Sequence, residues 1–454
     1  TNTTGNDDIY LDYVSIQVDD QYMAEVPQLS YMQSAPQPEY VYNITNQDHH
    51  ADTQVDMVII IPTSQKLLKE AQRIQKLHEE KDGMRVRIVP ADELYNEYSS
   101  GTPDVNAYRR YMKMLYDRAG DNEADMPRHL LLFGDCVWDN RLRTPDTRNL
   151  SADDLLLCFE SENSLNDIYS FVDDGYFAML DDNEGKAHSG TGLTYTDKID
   201  LSVGRFPVRN TSEAKIMVDK TISYIENKNA GSWQNTLMFI GDDGNNTSSS
   251  YEGNIHMQDA DNAAKQVENY DAAYDVKRVM SDAYKRESSS TGYSYPDVTK
   301  AIMRQQEAGA LMINYSGHGE PTGLSHEYII RLNDLAQATN ENLPLWVTAA
   351  CDILPFDGTV DNIGEATVLN PKGGAVAFFG TTRTVYQSDN ARINQAFMRH
   401  VMKNSDGKRT TIGEAQMKAK NEMIARGGDT SQNKLQYSLL GDPALALNTP
   451  LLKA

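Results

Sequence analysis

The residues in this chain best suited to chemistry are a histidine between two glycines, Gly317-His318-Gly319, and a cysteine 33 positions later, Cys351. A thiol is a weak nucleophile until it loses its proton, and a neighbouring imidazole can take that proton or stabilise the thiolate. Such a pair suffices for acyl transfer through a thioester. The flanking glycines lack a Cβ and let the backbone approach a scissile carbonyl closely. The amides of Gly319 and Cys351 are then candidates for an oxyanion hole. Taken bare, the same spacing also suits a structural histidine at a capped strand end and a buried cysteine acting as a small hydrophobe.

Other reactive residue types are less well placed. His326 is also close to the first strand end but has no paired glycines, and Glu320 and Glu327 read as exposed charges. Cys136 and Cys158 follow apolar runs and read as structural; three cysteines allow at most one internal disulfide. With no Cys-x-x-Cys pair and no His-Glu-x-x-His helix, the spacing argues against zinc. Gly241-Asp242-Asp243-Gly244-Asn245-Asn246 has the carboxylate richness of a calcium loop without its twelve-residue spacing, so structural Ca²⁺ is an option with no ligands assigned.

The elements that must position the pair are short apolar runs bounded by Gly, Pro or polar residues. His318 follows the run 309–315 and Cys351 follows 345–350, with a third such run at 374–379. Earlier runs at 57–61, 85–89, 129–133 and 236–240 alternate with amphipathic segments at 67–81, 106–118, 212–227 and 256–269, the third with Thr211 or Ser212 as its cap. This alternation predicts an α/β protein with mainly parallel sheets and helices on both faces. In open parallel sheets, sites lie beyond the carboxyl ends of the strands, where both His318 and Cys351 fall. Tyr169-Ser170-Phe171-Val172 is strand-like within a long polar stretch, 136–200.

The predicted organisation is the end of an upstream β-rich domain at 1–50, a first α/β subdomain at 51–230, and a second at 231–450 carrying the histidine and cysteine. The opening residues have no signal-peptide pattern and read as an internal fragment or a processed form. A net charge of −24, from 42 basic and 66 acidic residues, repels phosphate backbones and anionic lipid, so no nucleic acid partner is expected. No apolar run is long enough for a transmembrane segment.

The words around the pair add a family. Asn314-Tyr315-Ser316-Gly317-His318-Gly319-Glu320, Thr348-Ala349-Ala350-Cys351-Asp352, Phe356-Asp357, Ile363-Gly364-Glu365 and Leu440-Gly441-Asp442-Pro443 resemble the gingipain-like, caspase-related cysteine peptidases. The resemblance covers most of 56–447. It implies a caspase-like catalytic region in which His318 and Cys351 form the dyad, and Asp173, preferred to Asp174, orients the imidazole. Asn370-Pro371-Lys372-Gly373-Gly374-Ala375 and Thr381-Thr382-Arg383-Thr384-Val385-Tyr386 look most like the PorU-type sortases of type IX secretion. That likeness implies an extracytoplasmic enzyme, at the outer membrane surface or secreted. It would cleave C-terminal sorting signals from protein substrates, transfer them to a surface lipopolysaccharide, and dock other secretion-system components, with no cofactor required beyond optional Ca²⁺. The alternative is a non-catalytic surface-assembly or adhesion module with the same fold.

Overall fold

The computed structural model describes residues 47–450 apart from 162–167, 186–193, 246–250, 291, 406–407 and 427. Most of the predicted 1–50 region lies outside the described residues. Ten strands form the central sheet: β1 (Met57–Ile61), β2 (Val86–Pro90), β3 (His129–Phe133), β4 (Ser202–Phe206), β5 (Thr236–Gly241), β6 (Asp275–Met280), β7 (Met312–Ser316), β8 (Leu345–Ala349), β9 (Ala377–Thr381) and β10 (Tyr437–Leu440). The helices are α1 (Leu68–Lys81), α2 (Ala91–Tyr98), α3 (Val105–Ala119), α4 (Thr211–Ile225), α5 (Ile255–Tyr270), α6 (Pro296–Ala308), α7 (Leu332–Ala336), α8 (Ile363–Val368), α9 (Gln387–Val401) and α10 (Ile412–Ala425).

The strand order is β2-β1-β3-β4-β10-β9-β8-β7-β5-β6. Pairings are parallel within β1–β4 and within β5–β9, as the strand–helix alternation predicts. The exception is β10, antiparallel to β9 and parallel to β4. Strands from both predicted α/β subdomains therefore share one continuous sheet, with a late strand between them.

Eight of the ten strands, all but the edge strands β2 and β6, are buried along their full length because helices cover both faces. Alternation decides which face each residue fills: Trp346 and Phe378 join the cluster containing Ile313 and Ile353, whereas Val347 and Phe379 pack with residues of α5, α9 and α10. Helix starts follow local capping chemistry. Asn210, one position before the predicted cap, accepts hydrogen bonds from the amides of Ser212 and Glu213, each 3.0 Å. Thr411 and Glu414 form a reciprocal box at the start of α10. The strand-like run ending at Val172 makes only an isolated bridge, to Glu160, so it joins no sheet among the described residues.

Candidate active site

Three adjacent strands end level with one another: Gly241 of β5 is in register with Ser316 of β7, and Ser316 with Ala349 of β8. The residues just beyond these ends, Asp242, Gly317-His318 and Ala350-Cys351, leave the sheet at one edge. A cleft of about 150 Å³ opens there, lined among others by Glu252, His256, His318, Cys351, Val385 and Gln387. The structure thus brings His318 and Cys351 into one cavity.

Each member of the pair is held by a third group. The Cys351 thiol donates to the Val385 carbonyl at 3.4 Å, and burial, with the nearby Asp352 carboxylate, pushes its pKa up. Asp352 has a φ of +52°, an uncommon value for a residue other than glycine, which turns the chain sharply after the nucleophile position. Its side chain accepts from Thr384 at 3.0 Å and its amide donates to the Arg383 carbonyl at 3.2 Å, tying the turn to the segment after β9.

The imidazole of His318 meets Glu252, with 3.1 Å between Nε2 and Oε2. A carboxylate at Nε2 favours the tautomer with its proton there and leaves Nδ1 as the basic nitrogen. His326 stacks on the ring at 4.4 Å between centroids, and His256 meets it edge-on at 4.9 Å. Below, Asp242 Oδ2 accepts from the His318 amide at 3.0 Å and lies 3.1 Å from the Tyr315 hydroxyl, which donates to the His318 carbonyl at 2.6 Å. Burial pushes Asp242 up to about 7, with the adjacent Asp243 carboxylate adding to the shift.

Both glycines of the frame are there because of close approach. A Cβ at Gly317 would lie 2.3 Å from the Tyr315 hydroxyl and 2.4 Å from Asp242 Cβ. At Gly319 it would lie 2.4 Å from Ile353 Cδ1 and 3.1 Å from the Cys351 carbonyl oxygen, so the Gly319 backbone rests directly against the turn at Cys351.

Asp173 is not brought to the histidine. Its Oδ1 accepts from the Gly175 amide at 2.8 Å beside the Lys420 amine, and burial pushes its pKa up to about 6 while Lys420 pulls it down. Asp174 pairs through both oxygens with the fully buried Arg205, at 2.8 and 2.7 Å. The acid at the imidazole is Glu252, 66 residues before it, just ahead of α5. Only its one-turn spacing from His256 marks it in the sequence.

Other residues also change their meaning. Glu327, expected to be exposed, is buried and accepts from Arg286 at 2.6 Å and Ser325 at 2.8 Å. Asp242, Asp243 and Glu327 gather oxygens within 4.8 Å of one another, a donor set of the hard type calcium takes. Positive charge is already supplied there: Arg286 pairs with Glu327 and lies 3.9 Å from Asp243, while the Tyr295 hydroxyl donates to Asp243 at 2.5 Å. As arranged, the cluster does not fit an additional dication. Cys136 and Cys158 are buried, the first with its thiol toward the Phe356 carbonyl at 3.9 Å and the second donating to the Val137 carbonyl at 3.4 Å, and neither lines the cleft.

The other quoted words are anchored as well, at both edges of the sheet. Arg383 holds the buried Asp357 through both guanidinium nitrogens, and Asn370 donates to the carbonyls of Leu335 and Ala338. Asp442 pairs with the buried His78 of α1 at 2.8 Å.

The sequence profile described as "Peptidase family C25" matches residues 50–448. Among solved structures, the Arg-specific cysteine proteinase gingipain R superposes with a TM-score of 0.61 at 18% identity, covering 90% of this chain and 81% of that one. The complex of Porphyromonas gingivalis RgpB pro- and mature domains gives 0.61 at 18% identity, over 87% and 80%. At these identities the likeness establishes the fold alone. Dimeric latent PorU from Porphyromonas gingivalis is 30% identical with a TM-score of 0.53, covering 92% of this chain and 32% of that longer protein. No curated protein sequence gives a significant match.

Proposed function

Because the chain belongs to peptidase family C25 and is a cysteine-type peptidase, we propose that Cys351 is its nucleophile, His318 its general base and acid, and Glu252 the group that orients the base. The observation that carries this reading is the register of β5, β7 and β8, which brings all three into one cleft. His318 Nδ1 takes the thiol proton and Sγ attacks the scissile carbonyl carbon. The amides of Gly319 and Cys351 donate to the resulting oxyanion. Collapse expels the amine, which leaves with the proton from His318, and the thioester is then resolved by a nucleophile that His318 deprotonates. In the resting arrangement the thiol rests on Val385 and its pKa is raised, so substrate entry has to turn it toward the base.

For the substrate we infer C-terminal sorting signals of secreted proteins, with release by water or transfer to an amine or sugar acceptor on a surface lipopolysaccharide. The identity shared with PorU across 92% of this chain supports that reading. An extracytoplasmic setting fits it. Among the described residues no helix is long and apolar enough to cross a membrane.

The test is iodoacetamide labelling of Cys351 across pH, followed by peptide mapping. Labelling near neutral pH that slows at least about tenfold in His318→Ala is expected. Labelling indifferent to His318 refutes the dyad and favours a non-catalytic surface module. Incubation with a cargo protein carrying its C-terminal signal tests the substrate class: an unprocessed signal, with a reactive Cys351, removes the sortase reading alone.

A further inference from the structure

The cleft also gathers metal-ligating atoms that peptide cleavage does not use together. His256, in the first turn of α5, is 6% exposed, and its buried Nε2 makes no well-aligned hydrogen bond, its facing group being the Glu252 carboxylate. A buried nitrogen left without a well-made hydrogen bond is destabilising, and a ligand at that atom would relieve it. One turn earlier along the chain, Glu252 Oε2 lies 3.4 Å from His256 Nε2 and 3.1 Å from His318 Nε2. One ligand atom from each of the three residues falls within 4.8 Å of the others.

Zinc bound tetrahedrally at about 2.0–2.1 Å from its nitrogen and oxygen ligands holds neighbouring ligand atoms about 3.3 Å apart. The two separations to Glu252 bracket that spacing. Two imidazoles and a single carboxylate suit zinc and not calcium or magnesium, which take six or more oxygens. The ligands come from a helix start and a strand end, so no contiguous motif announces them.

We propose that Glu252, His256 and His318 form a reversible inhibitory site for a zinc-class dication. The ion takes the lone pair of His318 Nε2, and the single ring proton that Nε2 carried passes through solvent to Nδ1, so the ring stays neutral and the nitrogen that would accept the Cys351 proton is no longer a base. Glu252 is withdrawn from its orienting role in the same event. All three ligands line the same cleft as Cys351. Metal binding needs only the three ligands; inhibition rests on the assignment of His318 as base.

Titration of the full chain with Co²⁺, read by the visible absorption of a four-coordinate site and competed with Zn²⁺, tests binding. Parallel labelling of Cys351 tests inhibition. The parent is expected to bind and to lose labelling with Zn²⁺, and His256→Gln to bind more than about tenfold more weakly and keep its labelling. Should His256→Gln fail to fold, judged by thermal melting, Glu252→Gln carries the binding comparison. Equal binding by parent and variant, or no four-coordinate signal in the parent, overturns the site. Binding that leaves labelling unchanged overturns the inhibition, whereas loss of the dyad itself shows separately in His318→Ala without metal.

Discussion

Replacing Asp242 by Asn tests how the floor of the cleft is built. The buried carboxyl is pushed up to about 7 from an ordinary 3.8, mainly by burial. In the folded protein it keeps its proton where the unfolded chain has lost it, so stability is greatest below pH 4 and falls as pH rises toward 7. That shift corresponds to roughly 4 kcal/mol, of which about 2–3 kcal/mol falls between pH 5 and pH 8. Asn has the same shape and an oxygen to accept the His318 amide, but cannot ionise. The stability lost between pH 5 and pH 8, measured by urea unfolding at both, should be about 2–3 kcal/mol smaller in Asp242→Asn than in the parent. Other titrating groups are common to both proteins and cancel in the difference. An equal or larger loss in the variant would refute the idea that this carboxyl is protonated beneath the histidine.

Three further outcomes are expected. Glu252→Gln lowers peptide hydrolysis about tenfold or more through kcat, with Glu252→Asp partly restoring it; an unchanged pH profile in both would remove Glu252 from the orienting role. Gly317→Ala forces a methyl group to within 2.4 Å of Tyr315 and Asp242 atoms, so it should destabilise by about 1–3 kcal/mol; a melting curve like the parent's contradicts that packing. Lys220 donates to the Val368 carbonyl at the end of α8, and burial draws its pKa down to about 7 from 10.5. The unfolded chain therefore binds the extra proton above pH 7, and stability rises by about 2 kcal/mol between pH 7 and pH 9 from this group. Lys220→Met should lose that rise, and calorimetry at the two pH values checks it.

The strands that lead to His318 and Cys351 were legible because each is buried on both faces and therefore mostly apolar; β7 and β8 begin and end within three residues of the predicted runs. Gly317 and Gly319 were read as letting the backbone approach a scissile carbonyl; what the structure shows is close approach inside the fold, to Tyr315, Asp242 and Ile353. The carboxylate that meets the imidazole was not legible. Glu252 is far from His318 along the chain and meets it only because β5 lies beside β7 in the sheet, which no local pattern encodes. Asp173 had the right residue type, but its carboxyl turns back onto its own loop and Lys420. Glu327 shows the limit of reading charge as exposure, since its partner Arg286 is 41 residues away. Strand β10 was quoted only for the word at its end, because four residues leave no periodicity to read.

That short strand also sets an order of events. β10 lies between β4 and β9, although nearly every other element precedes it along the chain. During synthesis, β1–β4 and β5–β9 can each assemble as parallel units, yet β4 and β9 each keep an unpaired edge until residues 437–440 emerge. Exposed edges of this kind invite pairing with other chains. A nascent chain stopped before Tyr437 would thus hold the dyad strands and still lack the seam that closes the sheet, leaving it aggregation-prone. Closure of this sheet is timed by β10.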